Sequence, residues 1–266
     1  MTVILETKAL TRRFGSLTAV DQLTIAVEGG ELFGLLGPNG AGKTTVIKML
    51  TTLLPPTSGE ACVAGFDITR QPARVRRVIG YVPQAVSVDG ALTGYENLLI
   101  FAKLFDIPRH ERRQRVREAL AFLNLADAEN KLVREYSGGM IRRLEIAQST
   151  LHRPPVLFLD EPTVGLDPIA RQAVWEHLQQ LRADYGTTIF LTTHYMDEAD
   201  NLCSRVAIMH RGKVAAVGPP AELKAALGSP GATLDDVFVR YAGGSLETGG
   251  SLRETSTQRR IARRLG

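Results

Sequence analysis

The chain has 266 residues, 44% of them apolar and 23% charged. That suits one compact α/β domain with a modest insert, or two small domains, and excludes a disordered or collagen-like protein. The net charge of +4 belongs to the end of the chain: from Ser251 onward there are five arginines and one acid, so residues 1–250 sum to zero and give no global argument for nucleic-acid binding.

The longest unbroken apolar runs, Leu98–Ala102 and Ala119–Leu123, are five residues long. A membrane-spanning helix needs ~20. Glu6 and Lys8 follow only three apolar positions, so no signal peptide is expected. Cys62 and Cys203 stand alone, which fits neither a disulfide framework nor a metal spacing. A reducing, cytoplasmic compartment is expected.

No internal repeat is visible. Short apolar runs alternate with helical patterns, which predicts an α/β fold with a parallel or mixed sheet covered by helices. Leu17–Val27 alternates in places and reads as an early strand region. Glu31–Leu36 reads as a second strand, followed by a Gly-rich turn. Thr44–Leu54 has helical spacing at Ile47, Leu50 and Leu54, and Pro55-Pro56 is expected to stop it. Residues 85–135 hold two helical patterns and no strand. Thr93 with Glu96 matches a capping box ahead of Leu98–Phe105. A second helix follows Pro108, with Val116, Ala119, Leu120 and Leu123 on one face. This predicts a mostly helical subdomain, about 85–150, inserted into the α/β core. The α/β pattern resumes at Val156–Leu159 and Thr188–Thr192. From Gly243 the composition turns to Gly, Ser and Thr, so a domain over 1–242 and a disordered basic tail over 243–266 are expected.

Gly37-Pro38-Asn39-Gly40-Ala41-Gly42-Lys43-Thr44 fits G-x-x-x-x-G-K-[ST] without a mismatch. A triphosphate is a dense anion. Glycines let successive backbone N–H groups wrap it, and the helix that follows points its positive end at the same phosphates. Lys43 is expected to reach the β- and γ-phosphates, and the Thr44 hydroxyl to ligate Mg²⁺. The competing reading is a Gly-rich turn with an exposed lysine. Further on, Val156–Leu159 ends in Asp160-Glu161. Such a run suits a buried parallel strand, and ligands of open α/β sheets bind at the carboxyl ends of strands. Asp160 is expected to hold Mg²⁺, directly or through water, and Glu161 to polarise the attacking water.

Tyr136-Ser137-Gly138-Gly139-Met140 precedes a helical pattern on which Ile141, Leu144, Ala147 and Leu151 share a face. Here the chain resembles the ATP-binding cassette (ABC) proteins and their LSGGQ signature, with Ser137 as a helix N-cap. Tyr136 and Met140 depart from the commonest form. Gln84, in Tyr81-Val82-Pro83-Gln84, resembles the Q-loop, which contacts Mg²⁺ and the helical insert. Asp167, in Gly165-Leu166-Asp167, resembles the D-loop, and His194 the switch histidine. Phe14 resembles the aromatic that stacks on adenine, with a plain core phenylalanine as the competing reading. The resemblance also places Thr45 with the phosphate loop.

The resemblance runs from about residue 3 to residue 242. It implies a P-loop NTPase core with a mixed sheet flanked by helices, an antiparallel β region near the N-terminus and the inserted helical subdomain. Arg142-Arg143-Leu144-Glu145-Ile146-Ala147 and Thr233-Leu234-Asp235-Asp236-Val237-Phe238 look most like the ATP-binding subunits of ABC-2-type exporters of the daunorubicin-resistance kind. That kinship implies ATP and Mg²⁺ as ligands and a second, head-to-tail copy supplying Ser137, Gly138, Gly139 and Asp167. It also implies an ABC-2-type membrane permease as partner and a peripheral place on the cytoplasmic face of the cell membrane. No nucleic acid is expected. The arginines of 109–117 are interrupted by Glu111 and read as a solvated helix face. Two other readings stay open: a soluble ABC ATPase acting on ribosomes or nucleic acid, and an ATP-gated regulatory subunit with little turnover.

Overall fold

The computed structural model describes residues 2–229 and 231–242. In chain order, β1 (Val3–Phe14) and β2 (Leu17–Glu28) form a long antiparallel hairpin. β3 (Leu32–Leu36) leads through the Gly-rich turn into α1 (Lys43–Leu50). β4 (Ser58–Val63), β5 (Phe66–Asp67), α2 (Pro72–Arg77) and β6 (Ile79–Val82) follow. Next come α3 (Gly94–Leu104), α4 (Arg109–Phe122), two single 3-10 turns and α5 (Gly138–Thr150). The chain then returns to β7 (Val156–Asp160), α6 (Pro168–Tyr185), β8 (Thr188–Thr193) and α7 (Met196–Leu202). It ends in β9 (Arg205–His210), β10 (Lys213–Gly218), α8 (Pro220–Ala225) and α9 (Leu234–Ala242).

Two sheets result. One is antiparallel, in the order β2-β1-β4-β5; the other runs β10-β9-β3-β8-β7-β6, parallel except for its edge strand β10. Both faces of the second sheet are covered, and side chains alternate between them with the period of two that a strand imposes. Leu157, Leu159, Ile189, Leu191, Val206 and Ile208 point into the core shared with α3–α7. Val156, Phe158, Phe190, Ala207 and Met209 point into the core shared with α1 and the antiparallel sheet. Helix α1 lies in that second core, with Val46, Ile47, Met49 and Leu50 fully buried. This fixes the start of α1, and with it the phosphate loop, at the carboxyl end of β3.

Helix α1 is shorter than its spacing predicts. Thr52 takes a left-handed backbone (φ 64°), and the N–H groups of Leu53 and Leu54 both return to the Lys48 carbonyl. The helix is thus closed before Pro55-Pro56 is reached. The Thr93/Glu96 capping box is present in full: the Thr93 hydroxyl accepts from the Glu96 N–H and the Glu96 carboxylate accepts from the Thr93 N–H. Among the described residues, 85–150 pairs as β only at the isolated bridge Thr93↔Leu132. No helix among the described residues is long and apolar enough to cross a membrane. The tail over 243–266 lies outside the described residues.

His152, just past α5, is expected to make stability acid-sensitive. Its ring stacks on Phe105 (centroids 3.7 Å apart), and its Nε2–H donates to the Ile79 carbonyl at 3.1 Å. Nδ1 is buried without a partner. A proton on Nδ1 would have no acceptor, and burial pushes the pKa down to about 4. The unfolded chain therefore binds the proton more readily. The contribution of His152 is expected to be complete above ~6.5, the free-histidine value, and to be lost as pH drops from there towards 4. His152→Phe is expected to flatten that slope, measured by urea midpoints at pH 7 and pH 4.5, by on the order of 2 kcal/mol.

Candidate active site

The phosphate loop packs its own backbone so tightly that side chains are excluded at two places. A Cβ on Gly37 would lie 2.3 Å from the Met209 carbonyl oxygen. One on Gly42 would lie 2.3 Å from that of Ala19, and Gly42 also has a left-handed backbone, φ 107°. Ala41 turns its methyl into the core, while its N–H is held by the Pro38 carbonyl and its carbonyl by the Gly212 N–H. The loop borders an open cleft whose lining includes Phe14, Asn39, Thr45, Gln84 and Glu161.

Lys43 is buried, and its ammonium is folded back on the loop. Nζ donates to the carbonyls of Gly37 (2.6 Å) and Pro38 (3.1 Å) and pairs with Glu161 Oε1 at 3.3 Å. Burial pulls its pKa below the usual lysine range, and the neighbouring carboxylates of Glu161 and Asp160 oppose that pull. Glu161 is where four elements meet. Its Oε1 also faces His194 Nδ1 at 3.1 Å, and its Oε2 accepts from the Gln84 side-chain amide at 3.1 Å. Glu161 has a left-handed backbone (φ 49°), a strained conformation for a non-glycine residue at the exit of β7.

Asp160, 1% exposed, accepts on Oδ1 from the hydroxyls of Thr44 (3.1 Å) and Thr192 (2.6 Å). Thr192 is a positioning residue the sequence reading missed. Its hydroxyl also accepts from the Glu161 N–H at 3.1 Å, so one side chain orients both acids. The register Asp160↔Thr192 places it there. The signal in the sequence is a threonine pair closing an otherwise apolar strand just before His194.

Phe14 is 44% exposed, which excludes the core reading. The Arg12 guanidinium lies over its ring at 4.6 Å from the centroid.

Ser137, Gly138, Gly139 and Asp167 do not line the cleft. They gather at another place, where a Cβ on Gly138 would touch the Leu166 side chain and one on Gly139 that of Ala170. Ser137 and Asp167 cap their own helices: the Ser137 hydroxyl accepts from the Met140 N–H, and Asp167 Oδ1 from the Ala170 N–H at 2.9 Å. Tyr136, one of the two departures from the commonest signature, is a packing residue. It is buried, and its hydroxyl donates to the Ala128 carbonyl at 2.6 Å.

The family model described as ABC transporter matches residues 20–164. The chain is 48% identical over 225 residues to the daunorubicin/doxorubicin resistance ATP-binding protein DrrA of Streptomyces peucetius, covering 85% of this chain and 68% of that protein. It is 44% identical over 222 residues to the Nod factor export ATP-binding protein I of Ralstonia nicotianae, covering 84% and 69%. A solved ATP-binding subunit of an ABC transporter matches with a TM-score of 0.80 at 30% identity, over 90% of this chain and 99% of that one. The solved cbiO1 of Clostridium perfringens, part of the ABC transporter complex cbiONQ, matches with a TM-score of 0.79 at 29% identity, over 85% and 92%. With its phosphate loop, paired acids and signature turn on this fold, the chain belongs to the ABC transporter family and is one of its ATP-binding, ATP-hydrolysing members.

Proposed function

We propose that this chain is the motor subunit of an exporter: it hydrolyses ATP, with Mg²⁺, between two head-to-tail copies and drives a separate ABC-2-type permease from the cytoplasmic face of the membrane. The observation that carries this reading is the convergence of Lys43, Gln84 and His194 on one buried carboxylate, Glu161, beside the phosphate loop. Lys43 exchanges the Gly37 and Pro38 carbonyls for phosphate oxygens. Glu161 orients the attacking water and takes its proton, while Gln84 and His194 hold the carboxylate in place. Thr44 Oγ1 and Asp160 Oδ1 are hard oxygen donors 3.1 Å apart and fit a magnesium ion, which supplies charge neutralisation to the phosphates when bound. Phe14 offers the ring face that Arg12 leaves free to adenine.

Ser137, Gly138, Gly139 and Asp167 serve the γ-phosphate of the other copy. Their place outside the cleft supports this, as does Ile169, an apolar side chain 84% exposed beside Asp167. The permease contact is the Gln84 loop and α3, where Val86, Ile100 and Leu104 are exposed. The drug-resistance and Nod-factor-export names of the relatives support export as the direction. Purification of the tagged full chain from solubilised membranes tests the reading. An integral membrane protein is expected to co-purify, and a ribosome or nucleic acid in its place would favour the translation or repair class instead.

A further inference from the structure

The helix that starts at the signature turn also holds the Gln84 loop. Arg142, Glu145 and Ser149 share one face of α5, at spacings of three and four residues, and that face lies along β6 and the loop after it. The Ser149 hydroxyl donates to the Tyr81 carbonyl at 2.9 Å. Arg142 donates from Nη1 to the Pro83 carbonyl at 2.8 Å and from Nη2 to the Gln84 carbonyl at 3.4 Å. Glu145 Oε1 accepts from the N–H (2.6 Å) and the hydroxyl (2.9 Å) of Ser87. The two charges face each other at 3.0 Å with side chains only 9% and 1% exposed. An apolar pair would hold the helix down as well and without the desolvation cost. What the ion pair adds is direction, because it fixes two carbonyls and one N–H of the loop on either side of Gln84. The Gln84 amide in turn reaches Glu161.

We propose that Arg142 and Glu145 are positioning residues that fasten the Gln84 loop to the helix presenting Ser137, so that the two move as one piece and couple the two ATP sites. The proposal rests on the paired-cassette reading above. In a head-to-tail pair Gln84 serves the chain's own ATP, whereas Ser137 serves the neighbour's. A displacement of Gln84 when one site loads then shifts the turn offered to the other site. Such coupling is reciprocal and shows as cooperativity.

The test is steady-state ATP turnover by the full chain as a function of ATP concentration. The wild type is expected to give a Hill coefficient above about 1.5, out of a maximum set by two sites. The double variant Arg142→Met/Glu145→Leu leaves no unpaired buried charge and keeps the volume similar. It is expected to give a Hill coefficient of about 1 and a lower kcat, without the matching change in KM that lost ATP binding would produce. Glu145→Gln keeps an acceptor for Ser87 but loses the charge, and is expected to fall between; it carries the test should the double variant fail to fold. Folded variants with the wild-type Hill coefficient and kcat would overturn the proposal, as would a wild type without cooperativity. Light scattering of Glu161→Gln with ATP separates the two failures. One chain in solution there sinks the paired reading, whereas a pair with unaltered cooperativity sinks only the clasp.

Discussion

Glu161→Gln is expected to lower ATP turnover about 10³-fold while ATP still binds, the loss typical of removing a general base. The amide is isosteric with the carboxylate and still accepts from the Gln84 side chain, which now reaches Glu161 Oε2 at 3.1 Å. What disappears is the negative charge and the capacity to take a proton from water. The Lys43 ammonium, held 3.3 Å from Glu161 Oε1, loses its counter-charge and is freer to turn to the phosphates. ATP affinity is therefore expected to stay level or rise. Phosphate release measures the first part and a fluorescent-ATP titration the second. Turnover at the wild-type rate would remove Glu161 from the chemistry.

Lys43→Ala is expected to act at the other step, binding. Lys43 has no role in either hydrophobic core, and its ammonium meets only two loop carbonyls and Glu161. In the wild type those carbonyls already hold the charge at the spot where phosphate oxygens arrive. Hydrogen bonds to a charged group contribute about 1.5–3 kcal/mol. ATP affinity is accordingly expected to fall about 10- to 100-fold, with hydrolysis lost alongside it. The fluorescent-ATP titration reads this directly, and an unchanged affinity would take Lys43 out of the site.

Much of the site was legible because its chemistry is local in sequence. The phosphate loop is one unbroken motif, and Asp160-Glu161 closes an apolar run that suits a buried strand. The structure brings Lys43, Asp160, Glu161, Gln84 and His194 together through sheet topology: β3, β7 and β8 are parallel neighbours with their carboxyl ends at one edge. Less legible were features set by irregular backbone. β1 was not legible because a left-handed residue at Ala9 and breaks in register around Leu10 disturb its alternation. β9 and β10 also went unread, although Val206–Met209 is as apolar as the strand before the acids. Arg142 and Glu145 stand in the stretch Arg142–Ala147 that carries part of the family resemblance, but the sequence does not say what they touch. Only the fold reveals that this face is buried against the Gln84 loop, because sequence spacing reports which residues share a face and not what that face meets.

The central claim is that each ATP is held by two copies of the chain, one supplying the phosphate loop and the other the Ser137 turn. Light scattering of the full-length Glu161→Gln chain, with and without saturating Mg-ATP, reads this most directly. The account predicts the mass of two chains with ATP and of one without it. A single chain at saturating ATP, with the nucleotide demonstrably bound, would contradict it.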